Sequence, residues 1–160
     1  MNTNKSANIK PLIFKEARAA LNNNPKASLG LANTILDYFP NYPAALQLKG
    51  EALSAVDLDE EAIQTWKGLT RSQNENIAEK AHESIADLFT KKAKKISNRR
   101  SPKAAILFFI EQLLDHGFSP RMNDGVSQIL KDIEPKNQDF PYPELQNHQL
   151  QLLFNSLVIE

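Results

Sequence analysis

Residues 42–73 read YPAALQLKGEALSAVDLDEEAIQTWKGLTRSQ, and this stretch decides the fold class. Ala45, Leu48, Ala52 and Ala55 recur at steps of three and four, the spacing of one helical face. Leu46 and Leu53 form a second apolar face, so this helix is sandwiched between neighbours. Asp59 opens a second helix through Ala62, Ile63, Trp66 and Leu69. Glu60 and Glu61 in its first turn are favoured by the helix dipole. The unit is a helical hairpin.

Working outward, the same periodicity covers almost the whole chain. Upstream, Ile9, Leu12, Ile13, Ala17, Ala20 and Leu21 form one stripe, and Leu29, Ala32, Ile35, Leu36 and Phe39 form another after Pro25. The second ends at Phe39, because Pro40 disfavours helical geometry in its predecessor. Downstream, Ile77, Ala81, Ile85, Leu88 and Phe89 mark a fifth helix that continues toward Ala93 and Ile96. Ser101-Pro102 is an N-cap followed by proline at the first helical position. It opens a sixth helix whose run 104–110 is apolar on all sides and therefore expected to be central. Ser119-Pro120 repeats that signature before Met122, Val126, Ile129, Leu130 and Ile133. Gly125 weakens this seventh helix by about 1 kcal/mol relative to alanine. Glu134-Pro135 stops it, Phe140-Pro141-Tyr142-Pro143 forms an extended elbow, and 144–158 supplies an eighth helix. No segment alternates as a strand would. The expected fold is all-α, with a disordered tail over 1–8 and one domain over 9–160.

The composition of the 160 residues narrows the function classes. Hydrophobic residues at 41% and charged residues at 24% describe a globular chain. Lys and Arg number 19 and Asp and Glu number 19, so no protein-wide field grips nucleic acid or an anionic membrane. Cysteine is absent, which removes disulfides, thiol catalysis and cysteine-based metal sites. The first eleven residues carry no apolar segment of a secretory leader, and no apolar run reaches the ~18 residues of a spanning helix. A soluble, cytoplasmic protein is expected.

The hairpin repeats. A step of 34 residues superposes Ser28 on Ala62, Ala32 on Trp66, Ile35 on Leu69 and Gly50 on Ser84. A third pair fits at a step of 43, Ala62 to Ala105, Ile63 to Ile106 and Trp66 to Phe109. The surplus is read as an insert between the two helices of that pair, holding part of 91–103. At this spacing the chain resembles the tetratricopeptide repeat family, over about residues 9–117. Leu48-Lys49-Gly50-Glu51-Ala52 is similar to the family's first-helix motif, and Asp59-Glu60-Glu61-Ala62-Ile63 with Trp66 to its second. Small residues at Gly50 and Ala62 let the helices approach, and Trp66 fills the groove between repeats. Phe39-Pro40-Asn41 resembles the family's repeat ending. Lys49, Ser28 and Asn74 depart from the pattern, standing where the family has Leu, Ala and Pro.

The resemblance implies a right-handed helical-hairpin solenoid of about three pairs, best defined over 42–73, with a C-terminal cap over 119–158. It also implies a concave groove for a peptide or amphipathic helix. Carried over by position, that groove shows Lys10, Ile13, Ala17 and Ala20, then Gln47, Glu51 and Ser54, then Ala78, Ala81, Ile85 and Leu88. A family subset clamps a C-terminal carboxylate with Lys, Asn and Arg. Here those places hold Ile13, Ala17 and Leu48, which cannot do so. Residues 122–158 folding back to fill the groove is the competing arrangement.

Catalytic chemistry is not advertised. Glu79 and His82 match one half of a di-iron motif, but the required second copy is missing. Glu144 and His148 suit a solvated pair. Nucleophile elbows and phosphate-binding loops are absent, and the carboxylates Asp57, Asp59, Glu60 and Glu61 are explained by a helix N-terminus. We therefore expect no enzyme, metal or cofactor. The sharpest anomaly is basic: Lys91, Lys92, Lys94, Lys95, Arg99, Arg100 and Lys103 place seven positive charges and no acid in 91–103. A solvated helix end, an acidic protein partner and a phosphate-bearing partner each account for it, though no aromatic in the segment offers a base a stacking platform. The expected function is a protein–protein interaction scaffold. The alternatives are a nucleic-acid-binding accessory protein using 91–103, or a regulatory module of a larger enzyme. Trp66, Phe108 and Phe109 are expected in the core.

Overall fold

The computed structural model describes residues 3–100 and 102–116, together with Arg121, Asp124, Gly125 and Gln128. Among the described residues every regular element is an α-helix: α1 (Thr3–Ala20), α2 (Pro25–Tyr38), α3 (Pro43–Ala55), α4 (Asp59–Lys67), α5 (Glu75–Arg99) and α6 (Pro102–His116). No described helix is long and apolar enough to cross a membrane. The expected elbow at 140–143, the eighth helix and most of the 119–158 cap lie outside the described residues. The chain divides into two compact units, Met1–Ile85 and Ala86–Glu160. The division falls inside α5, whose continuous helical pattern gives sequence reading no boundary to find.

In the first unit, local chemistry sets the helix ends. Asn24 caps α2, its Oδ1 accepting from the Ala27 N–H at 3.1 Å ahead of Pro25. Asn74, where the repeat pattern expects proline, accepts from the Ile77 N–H at 3.3 Å and so starts α5. α3 stops at a left-handed residue, Asp57, with φ of 61°. There Leu58 N–H reaches the Leu53 carbonyl at 3.0 Å and Asp57 N–H the Ser54 carbonyl at 3.3 Å, a Schellman closure. α1 starts at Thr3 and runs through Pro11, so residues 3–8 are helical instead of forming the expected tail. A polar stretch has no apolar stripe from which periodicity could read this.

Neighbouring helices pack in sequence, α1 on α2, α2 on α3 and α3 on α4. Ala17, Ala32 and Leu48, one from each of the first three helices, form a buried cluster edged by Phe14, Leu21 and Leu31. Between α3 and α4 the approach is closer still. Gly50 is buried against the indole of Trp66, which is 1% exposed.

The second unit is built on Leu88, Phe89 and Ala93 of α5 with Ala105, Ile106 and Phe109 of α6, all buried. Phe89 and Phe108 meet edge to face at 6.0 Å. Trp66 and Phe109 are core residues as expected, whereas Phe108 is half-buried. The run 104–110 is not apolar-buried all round, because Leu107 is 50% exposed. Of the insert at 91–103, the residues up to Arg99 lengthen α5 to 25 residues, three beyond the Ile96 toward which the fifth helix was expected to continue.

Candidate functional site

Polar contacts tie α1 to the start and middle of α3, and α5 to residues beyond α6. In the first unit the Lys10 ammonium lies over the Tyr42 ring at 3.6 Å and the Phe39 ring at 4.5 Å. Further along, Arg18 pairs with Glu51. Moving from Lys10 to Arg18 on α1 thus corresponds to moving from Tyr42, the N-cap of α3, to Glu51 within it, so the two helices run in the same direction.

The second unit repeats this arrangement. The Arg121 guanidinium donates through Nε to Asp87 Oδ1 at 2.9 Å and through its terminal nitrogen to Oδ2 at 3.4 Å. Lys94 Nζ donates to Gln128 Oε1 at 2.8 Å. Both rungs join residues 34 apart. Arg121, Asp124, Gly125 and Gln128 have helical backbone at the three- and four-residue steps of one face. Asp87, Thr90, Lys91 and Lys94 show the same steps on α5. The two faces oppose each other around a cavity of about 490 Å³, whose lining among the described residues is these eight.

Gly125 sets how close the faces come. A Cβ there would strike the Thr90 hydroxyl and lie 3.2 Å from Phe109 Cζ. Thr90 in turn donates its hydroxyl to the Ala86 carbonyl at 2.9 Å. The glycine read in sequence as a weak point is therefore buried where the backbones approach. Among the described residues the lining is otherwise charged or hydrogen-bonding: Lys91, Lys94 and Arg121 with Asp87 and Asp124, and Thr90 and Gln128 able to donate and accept.

The expected groove residues fare unequally. Ala17, Ala81 and Ile85 are buried, as is Leu88, so they offer no surface to a ligand. This corrects the positional assignment: at those points the first-helix face is packed against neighbouring elements. Ile13, Ala20, Gln47, Ser54 and Ala78 are half-buried. Ser54 spends its hydroxyl on the Gly50 carbonyl at 3.0 Å, Lys10 on aromatic rings and Glu51 on Arg18.

The basic patch separates by helical angle. Lys91 and Lys94 line the cavity, while the Lys92 ammonium is held 5.4 Å from the centre of the Phe108 ring. Lys95, Arg99 and Arg100 are exposed, and the side chain of Lys103 lies outside the described residues. Asp87, Thr90, Arg121, Asp124 and Gln128 were not singled out in sequence. The signal existed, as opposite or complementary groups one 34-residue step apart. No group of three or more potential metal ligands occurs among the described residues, and His82 is exposed. A search of family models, of curated proteins and of solved structures finds no match to this chain.

Proposed function

We propose that the chain is a non-enzymatic adaptor, a right-handed tetratricopeptide-type array of helical hairpins that holds a peptide segment of a partner protein. Support for the array comes from the parallel run of α1 and α3 and from polar contacts 33 or 34 residues apart at Arg18–Glu51, Asp87–Arg121 and Lys94–Gln128. Stacked hairpins of about that length bring like helices side by side.

The cavity between α5 and the face carrying Arg121, Asp124 and Gln128 carries the functional reading. Its volume lies in the ~300–1,000 Å³ range of ligand sites. Small-molecule sites, however, are walled mainly by apolar side chains, and the described residues of this wall are polar apart from Gly125. A peptide suits it better, because a main chain brings its own donors and acceptors to Asp, Lys, Thr and Gln. A peptide-display library selected against the full chain tests the reading. Enriched peptides should bind the wild type and lose at least about tenfold in affinity to Asp124→Trp, which plugs the cavity from an exposed position. Failure to enrich any peptide, or peptides indifferent to the plug, would remove this function.

The exposed basic end of α5 favours a second reading, a nucleic-acid-binding accessory protein. Lys94, Lys95, Arg99 and Arg100 could neutralise phosphates with a steep salt dependence.

A further inference from the structure

We infer that the turn between α2 and α3 is a binding site for trimethylammonium groups, formed by the rings of Phe39 and Tyr42 and filled in the free protein by the chain's own Lys10. The structure already places a cation on these rings. The Lys10 ammonium lies 3.6 Å from the Tyr42 centroid and 4.5 Å from that of Phe39, inside the ~6 Å over which a ring face attracts positive charge. Among the described residues no carboxylate pairs with Lys10, so the rings hold it.

The cradle does not owe its shape to the lysine. Phe39 caps the end of α2, its N–H donating to the Ile35 carbonyl at 2.9 Å. The Tyr42 N–H donates to the Phe39 carbonyl at 3.1 Å, and the Tyr42 carbonyl accepts from Ala45 and Leu46 at the start of α3. Phe14 braces the Tyr42 ring edge to face at 6.1 Å. Both residues are placed by contacts that do not involve Lys10, and a pre-formed site loses little affinity to reorganisation.

The rings are also within reach of a ligand. Phe39 is 44% exposed, residues 38–41 are all exposed and Tyr42 is half-buried. Lys10 sits at the end of a flexible stem, and its ammonium recovers strong hydration on leaving. A trimethylammonium has the same charge, weaker hydration and more apolar surface to lay on the two rings. It therefore competes better than a primary ammonium, as aromatic cages for quaternary ammonium ligands do. Such a group arrives as free choline or as a trimethylated lysine of a partner, and the chemistry recognised is the same. This site belongs to the first unit and does not depend on the peptide reading of the α5 cavity.

The test is an NMR titration of the full chain, following the ring protons of Phe39 and Tyr42 at constant ionic strength. The probes are choline, its uncharged carbon isostere and a trimethyllysine peptide. Choline should shift both rings saturably. It should bind Lys10→Ala about three- to sixfold more tightly than wild type, the gain from removing a competitor of ordinary cation–π strength. Lys10→Arg keeps a cation at the rings and should not show that gain. Phe39→Leu, at an exposed position, should abolish choline binding in the Lys10→Ala background with the helical circular dichroism unchanged. Tighter binding of the peptide than of choline would support the site and assign it to a partner's modified lysine; the reverse order would support it as a small-molecule site. Equal binding of choline and its isostere would overturn the cation reading. Equal choline affinity in wild type and Lys10→Ala would overturn the role of Lys10 as resident competitor. No saturable shift in a folded Lys10→Ala would overturn the site.

Discussion

Replacing Gly50 with alanine adds one methyl group to α3, and the structure fixes what it meets. The new Cβ would lie 2.6 Å from Trp66 Cε2, 2.7 Å from Nε1 and 3.0 Å from Cζ2. Carbon atoms in contact prefer about 3.5–4.0 Å, so the indole must retreat by about 1 Å. These atoms belong to the body of a rigid ring that is 1% exposed, leaving no flexible end to swing aside. Overpacking of this kind costs about 1–3 kcal/mol, and three simultaneous contacts place it at the upper end. Against this, alanine improves on glycine within a helix by about 1 kcal/mol. The expected net loss is about 2 kcal/mol.

Gly30→Ala is the matched control. Gly30 lies in α2, exposed, with nothing within 4 Å of an added Cβ. The same chemical change should there stabilise by about 0.5–1 kcal/mol. Urea unfolding followed by tryptophan fluorescence reads the difference directly, because Trp66 is the sole tryptophan and belongs to the Met1–Ile85 unit. The midpoint should fall for Gly50→Ala and rise for Gly30→Ala. Circular dichroism then extends the comparison to a Trp66→Leu background, where alanine at 50 should stabilise by about 1 kcal/mol, a coupling of about 3 kcal/mol. A Gly50→Ala midpoint at or above wild type would refute the close α3–α4 approach and the small-to-large complementarity behind the repeat reading.

Three other substitutions have defined outcomes. Ser28→Ala should stabilise by about 1 kcal/mol in urea titrations, because the buried Oγ has no hydrogen-bond partner among the described residues. Asp57→Ala should fall about 1 kcal/mol below Asp57→Gly, since φ of 61° suits glycine and not alanine. Equal midpoints would deny the left-handed closure of α3. Lys10→Met keeps the length of the side chain but removes the cation over Phe39 and Tyr42, and should lower the thermal midpoint by a stability equivalent to about 0.5–1 kcal/mol. A change within the error of Lys26→Met would deny that contact.

Helix positions were readable from sequence where an apolar stripe met a chemical stop. α2 begins at Pro25 and ends before Pro40, and α4 begins at Asp59, because proline, the Asn24 cap and the acidic first turn act within a few residues. The lower part of α1 was not readable: residues 3–8 have no apolar stripe. The length of α5 was legible as far as Ile96 from its apolar stripe, but its last three residues, through the polar Asn98 and Arg99, were not. The site was legible only in its cations. Position alone assigned Ala17, Ala81 and Ile85 to a groove, but a helical face turns through 100° per residue and a small error in rotation exchanges groove for core. The acidic and amide partners of the cations lie a full helix pair away, and only a search for complementary groups across that distance would have joined Asp87 to Arg121.

That separation explains why a core-forming chain can also carry a polar site. On α5 the buried residues Leu88, Phe89 and Ala93 serve the packing of the second unit, so chemistry at those positions is constrained by volume. Asp87, Thr90, Lys91 and Lys94 occupy a different face, where the opposing surface is supplied by residues 34 positions further on. Only Gly125 is held by packing, against Thr90 and Phe109. The charged lining can therefore change with little cost to stability, since exposed polar substitutions away from the core stay within about ±0.5 kcal/mol. On the proposed reading, binding and folding are in this way assigned to separate faces of one helix. Variants at Lys94 or Asp124 should alter recognition at constant melting temperature, whereas variants at Phe89 or Phe109 should lower both together.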